Sequence, residues 1–154
     1  MTAASLKGQI RHDLTDAMKA HDKLRAGTLR MVLTAITTEE VAGDEARELT
    51  DDEVLKVVAK EAKKRKEAAA AYEGAGRAEL AATENAELAA LDAYLPTQLD
   101  DAELATVVDR AIDSVGATSM AQMGQVMKAA QAEIAGRADG GRVAAVVRSR
   151  LAAR

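Results

Sequence analysis

Apolar residues recur at steps of three and four along nearly the whole chain, the spacing that gathers them on one face of an α-helix. Leu6, Ile10, Leu14, Ala17 and Met18 trace the first such face and predict a helix over about 4–21. Leu24, Thr28, Leu29, Val32, Leu33 and Ile36 trace a second over about 23–42, with Gly43 following as a stop. An acidic connection then leads to Thr50-Asp51-Asp52-Glu53. That spacing is a capping box, in which the threonine hydroxyl and the glutamate carboxylate each satisfy an orphan N–H at a helix start. The helix begun there is expected to reach about Glu73, to bury Val54, Val57, Val58, Ala62, Ala69 and Tyr72, and to end at Gly74 and Gly76. Glu61 and Arg65 interrupt its apolar seam four residues apart, a spacing suited to an ion pair across one turn. A fourth helix, about 77–94, uses Leu80, Leu88, Leu91 and Tyr94.

Proline is what most often interrupts a helix, and the chain's one proline is Pro96. Beyond it the predicted helices shorten, which places the boundary between two helical parts, 1–95 and 96–154. Leu95 and Leu99 flank Pro96 where a flexible linker would carry Gly and Ser. Asp100 with Glu103 opens a helix bearing Leu104, Val107, Val108, Ala111, Ile112 and Val115, closed by Gly116 in a left-handed C′ position. Ser119 with Gln122 is expected to cap the next, which carries Met123, Val126, Met127, Ala130 and Ile134 and ends at Gly136. Asp139 starts a last helix with Val143, Val146, Val147 and Leu151. No strand-like alternation competes, so the expected class is all-α, four helices followed by three.

Composition sharpens this picture. The 154 residues are 48% apolar yet hold no Phe and no Trp, only Tyr72 and Tyr94, so Ala, Leu, Val, Ile and Met must fill the interior. The absence of cysteine excludes disulfides, thiolate metal sites and cysteine nucleophiles, and suits a reducing cytosol. No stretch approaches the roughly 20 apolar residues of a membrane span, and no apolar signal-peptide core opens the chain, so a cytoplasmic protein is expected. The net charge of −4 comes in blocks: +3 over 1–30, −7 over 39–53, +4 over 54–77, −8 over 78–113 and +4 over 114–154. Screening decouples patches further apart than about 8–10 Å, so an acidic chain can still offer local positive surface to a polyanion.

Catalytic patterns are sparse. His12 and His21 lie nine residues apart, off any shared face for a metal. Ser5, Ser114, Ser119 and Ser149 sit in no nucleophile elbow, and neither a phosphate-binding G-x-x-x-x-G-K-[S/T] loop nor G-x-G-x-x-G is present. Glu84 with Glu87, or Asp51, Asp52 and Glu53, offer carboxylates for acid–base or metal work, although acids in a first turn also serve the helix dipole. Met18, Met31, Met120, Met123 and Met127 are read as core packing rather than as a soft-metal or peptide groove. No catalytic residue, metal site or cofactor is therefore assigned. Lys56, Lys60, Lys63 and Lys64 share a helix face, either a merely solvated one or a track for a phosphate backbone. With two tyrosines there is no platform for stacking bases, so any nucleic acid would be met through phosphates and shape.

Six segments in order carry a resemblance: Arg-Met-Val-Leu-Thr-Ala-Ile at 30–36, Leu-Thr-Asp-Asp-Glu-Val at 49–54, Lys-Lys-Arg-Lys at 63–66, Tyr-Leu-Pro at 94–96, Met-Gly-Gln-Val-Met at 123–127 and Gly-Arg-Ala-Asp-Gly at 136–140. Together they resemble the YqeY-like proteins, which share their C-terminal part with the tail domain of GatB, a subunit of glutamine-dependent aminoacyl-tRNA amidotransferase. The resemblance implies a four-helix-like N-terminal part, a three-helix tail, and a link to tRNA or to the tRNA-amidation machinery. It also brings a family label, carbon–nitrogen ligase with glutamine as amido-N-donor, although in GatB the amide chemistry lies in a catalytic domain that this chain lacks. Gln125 stands where many members carry lysine, which removes one phosphate contact. On this view Arg137, Arg142, Arg148 and Lys128 are available to phosphates in the tail, joined by Lys60, Lys63 and Lys64, with Gly124 and Gly136 allowing close backbone approach. Arg150 and Arg154 extend the same basic helix, and complementing the helix dipole is the competing explanation for all these arginines. The alternatives are a helical protein-interaction module without nucleic acid and an amidotransferase or ligase.

Overall fold

Side-chain caps decide where most helices of this chain begin. The structure, a computed structural model, describes residues 5–154, so residue 4, the expected first position of the first helix, lies outside them. Ser5 accepts from Gly8 N and opens α1 (Leu6–Lys19). Asp22 accepts from Arg25 N at 3.1 Å and opens α2 (Lys23–Glu40). The capping box is present at α3 (Asp51–Gly74): Glu53 N donates to Thr50 Oγ1 and Thr50 N donates to Glu53 Oε1, both at 3.2 Å. α4 (Ala78–Asp92) follows Arg77. Asp100 accepts from Glu103 N at 2.7 Å and opens α5 (Asp101–Val115), which Gly116 closes at φ 73°. A 3-10 turn, Met120–Gln122, leads into α6 (Met123–Ile134), and α7 (Gly140–Ala152) ends the chain. The fold is all-α, and the described residues contain no strand. No described helix is long and apolar enough to cross a membrane.

The chain divides into two compact units, Met1–Leu95 and Pro96–Arg154. In the first, Ile10 of α1, Leu29, Val32 and Ile36 of α2, Val54, Val58 and Ala62 of α3 and Leu91 of α4 form one buried cluster. Polar bonds close the cluster at one end: Lys7 Nζ donates to both oxygens of Glu40 at 2.7 and 3.0 Å, and Leu49 N donates to Glu40 Oε2 at 3.2 Å. Tyr94 ties the segment after α4 to α1, its hydroxyl donating to Asp13 Oδ2 at 2.5 Å. Burial, then the Asp13 contact, pushes that phenol up to about 12. In the second unit Leu104, Val108 and Ile112 of α5, Val126, Ala130 and Ile134 of α6, and Val143, Val147 and Leu151 of α7 meet in a core of their own.

Several local expectations are corrected. Gly43 is no helix stop, since α2 ends at Glu40 with Val41 as its cap. Ser119 does not cap a helix through its hydroxyl; Gln122 Oε1 instead accepts from Thr118 N at 2.7 Å, one residue earlier, because a 3-10 turn intervenes. The left-handed turn after α6 begins at Ala135 (φ 49°) before Gly136 (φ 82°) completes it. Met18 and Met120 are 51% and 46% exposed and so do not belong to the cores, whereas Met123 and Met127 pack against one. The reason is position: Met18 sits in the last turn of α1, before His21 reverses the chain in a left-handed conformation.

The α3 cap joins a wider contact, because Arg47 reaches Glu53 with two bonds of 2.9 and 2.6 Å. The Arg47 contact, then the Thr50 N–H, holds Glu53 at about 2, so its contribution to stability is present above the ordinary carboxylate range and is lost as pH falls toward that value. Thr50→Ala should destabilise the protein by about 1 kcal/mol, measured by chemical unfolding at neutral pH, with Thr50→Ser recovering most of the loss.

Candidate nucleic-acid interface

α3 buries Val54, Val58, Ala62 and Ala69 against the first unit, and that choice of face turns Lys56, Lys60, Lys63 and Lys64 to the surface. Beside them α2, α3 and the connection between them border two adjoining open hollows of about 260 and 270 Å³. Lys60 lines both, Lys56 and Lys64 line one each, and Val57 forms apolar floor in both. Three glutamates share the lining. Glu53 is held by Arg47, and Glu61 is held by Lys64 and Arg65, each at 3.2 Å. Lys63 does not line the hollows and is engaged elsewhere.

Under this surface lies an arginine surrounded by acids. The Glu61–Arg65 pair expected from spacing is present, and α4 adds Glu87, 3.3 Å from Arg65 Nε, and Glu84, 3.9 Å from Nη1. Met31 of α2 places its sulfur against the same guanidinium. Arg65 is 15% exposed and Glu61 8%, so these charges are largely withdrawn from water. Glu84 and Glu87, the carboxylates with acid–base potential, therefore close around a cation. Burial, then the charge of Glu84, raises the Glu87 carboxyl above its ordinary value, with Arg65 opposing. Glu84 Oε2 and Arg65 Nε remain without a hydrogen bond of good geometry. No group of three or more metal-ligating side chains with the geometry for an ion occurs among the described residues.

The tail places its cations differently from the expectation that they stand open to phosphates. Arg137 folds back on α6, its Nε donating to Ile134 O and its Nη2 to Glu133 O, both at 2.9 Å, so it completes the helix end. Arg142 donates to Leu99 O at 2.7 Å and to Asp101 Oδ1 at 2.6 Å. Arg150 and Arg154 face Asp109 and Asp113 of α5 at 3.7 and 3.0 Å, and Arg110 pairs with Glu133. Arg148 and Lys128 are exposed. A Cβ built at Gly124 meets nothing within 4 Å, and Gly136 is equally open while also needing its left-handed φ, so both backbones are approachable. Lys60, Lys63 and Lys64 thus belong to one unit and the tail residues to the other.

Comparison with known proteins matches a model described as Yqey-like protein over residues 7–151. The chain belongs to the YqeY-like family. An uncharacterized protein of Schizosaccharomyces pombe is 37% identical over 93 residues, covering 60% of this chain and 73% of its own.

In this YqeY-like chain the sequence pattern exposed the α3 lysines and the Glu61–Arg65 pair, but neither the acids that α4 brings to Arg65 nor the aspartates that meet the tail arginines. Their one signal was the block of −8 over 78–113, which lies between two basic blocks. Two outcomes test the Arg65 centre. Arg65→Met leaves partly buried carboxylates without their cation and should cost about 3 kcal/mol. Glu87→Gln should act in the opposite sense: a carboxyl that binds its proton more tightly when folded costs stability as pH rises through its raised value. Thermal unfolding should therefore show Glu87→Gln at least as stable as the parent at neutral pH, with the advantage vanishing below the ordinary carboxylate range.

Proposed function

We propose that this YqeY-like protein is an accessory module that binds tRNA, or serves the machinery that amidates aminoacyl-tRNA, by electrostatic contact rather than by chemistry of its own. The observation that carries the reading is the exposed lysine face of α3, where Lys56 and Lys60 line a groove beside the Lys64–Glu61 pair while the tail's Arg137, Arg142, Arg150 and Arg154 are held by carbonyls and aspartates. A phosphate polymer favours such a row because each neutralised phosphate releases condensed counterions. Stacking contributes little, since the chain holds two tyrosines and Tyr94 is bonded to Asp13. The choice of tRNA as the polyanion rests on the resemblance to the GatB tail expected of segments 123–127 and 136–140. Arg148 and Lys128, exposed in the second unit, add contacts of the same sequence-blind kind.

A protein-interaction role is the second reading, favoured by Met18 and Leu24, which are 51% and 38% exposed at the ends of α1 and α2 that meet in one turn. Binding of unmodified tRNA, followed by anisotropy over a salt series, separates the two. The tRNA reading predicts retention at low salt that weakens linearly in log–log form, and Lys56→Gln with Lys60→Gln should reduce that slope by about two. No retention at low salt, or an unchanged slope in the double variant, overturns it.

A further inference from the structure

Three ion pairs in the C-terminal unit obey one numerical relation. Arg142 meets Asp101 at 2.6 Å, Arg150 meets Asp109 at 3.7 Å and Arg154 meets Asp113 at 3.0 Å. Each arginine follows its aspartate by 41 positions. A constant offset requires α5 and α7, which pack on each other, to run in the same direction with residues in fixed register. The same offset relates Ala105 to Val146, both half-buried, so the rungs repeat every four residues with one apolar rung among three charged ones. At 1.5 Å per residue the part of the row on α7, Arg142 to Arg150, extends about 12 Å, and Arg154 follows beyond the helix end.

The rungs at Arg150 and Arg154 are weakly held, because each arginine meets a carboxylate alone, whereas Arg142 also donates to Leu99 O. The side chains of Asp109 and Asp113 are 40% and 69% exposed, and their arginine partners are 46% and 37% exposed. Pairs this open to water contribute about 0.2–1 kcal/mol each. Duplex nucleic acid presents one charge per roughly 1.7 Å of axis and gains further from counterion release. Three separate aspartates on a helix are a far sparser line of charge.

We propose that the arginine row of α7 is a binding surface for the phosphate backbone of RNA, and that the acidic face of α5 occupies it as an internal competitor until RNA displaces the aspartates. The proposal rests on the tRNA reading above and adds its regulation: α3 makes the first contact, and the tail engages only when α5 yields. Arg148 stays exposed on the same helix throughout.

The test titrates tRNA into the whole chain carrying D101N, D109N and D113N, across a salt series. A control carries D44N, E45Q and E48Q, which removes as many charges from exposed positions of the α2–α3 connection. The ladder variant should bind about tenfold tighter than the control at low salt, with a log–log salt slope steeper by about two. Adding R150Q and R154Q should return it to the control's affinity. Equal gains in ladder variant and control, or a gain that survives R150Q and R154Q, would overturn the proposal. A gain in the ladder variant when the parent binds no tRNA refutes the α3 reading and leaves the masked row standing, whereas no binding by any chain refutes both. Helicity is followed in each chain, and if the triple variant loses it, D109N with D113N leaves the first turn of α5 intact and carries the same outcomes.

Discussion

An interior built without phenylalanine or tryptophan sets the terms for everything else in this protein. Ile10, Leu29, Ile36 and Leu91 in one unit, and Leu104, Ile112 and Ile134 in the other, are its largest fully buried side chains. Such residues fill space at native density only when helices lie close together. Close helices bring their polar flanks together as well, and this chain resolves those contacts with charge. Glu40 receives Lys7 and the Leu49 N–H, and Arg65 gathers acids from two helices. Arg142 bridges α7 to Leu99 and Asp101.

That use of charge has a consequence for binding. A basic side chain that ties helices together is committed, and one that ties nothing is open to a ligand. α3 divides its cations cleanly on this basis: Arg65 points into the acids, while Lys56 and Lys60 border the groove. The tail commits most of its arginines, yet through contacts of two strengths. Arg137 and Arg142 satisfy backbone carbonyls, whose loss leaves polar groups unmet. Arg150 and Arg154 meet exposed carboxylates alone, which water and ions readily replace. Equal formal charge on the two surfaces therefore implies different availability.

The legible part of the fold was the local part. Thr50 with Glu53, Asp100 with Glu103, and Gly116 each act within one turn, so their spacing alone located the helix ends. The three- and four-residue periodicity found the buried faces for the same reason. Position within a helix defeated it at Met18, where the apolar step continues into a last turn that no neighbour covers. The candidate interface was harder. The α3 lysines are adjacent in sequence and share a face by geometry, whereas Glu84 and Glu87 reach Arg65 only because α4 folds back on α3. The aspartates that meet Arg142, Arg150 and Arg154 lie 41 positions away, a relation that periodicity within one helix does not contain.

Phosphate binding by the α3 lysines is tested most directly by a backbone amide NMR map of the isotopically labelled chain titrated with tRNA at low salt. Binding through the α3 lysines gives perturbations that begin on α3 around Lys56, Lys60 and Lys64, disappear as salt is raised, and leave the amides of the buried cores unmoved. Perturbations confined to the α1–α2 turn around Met18 and Leu24, or a spectrum that tRNA does not change, would contradict it.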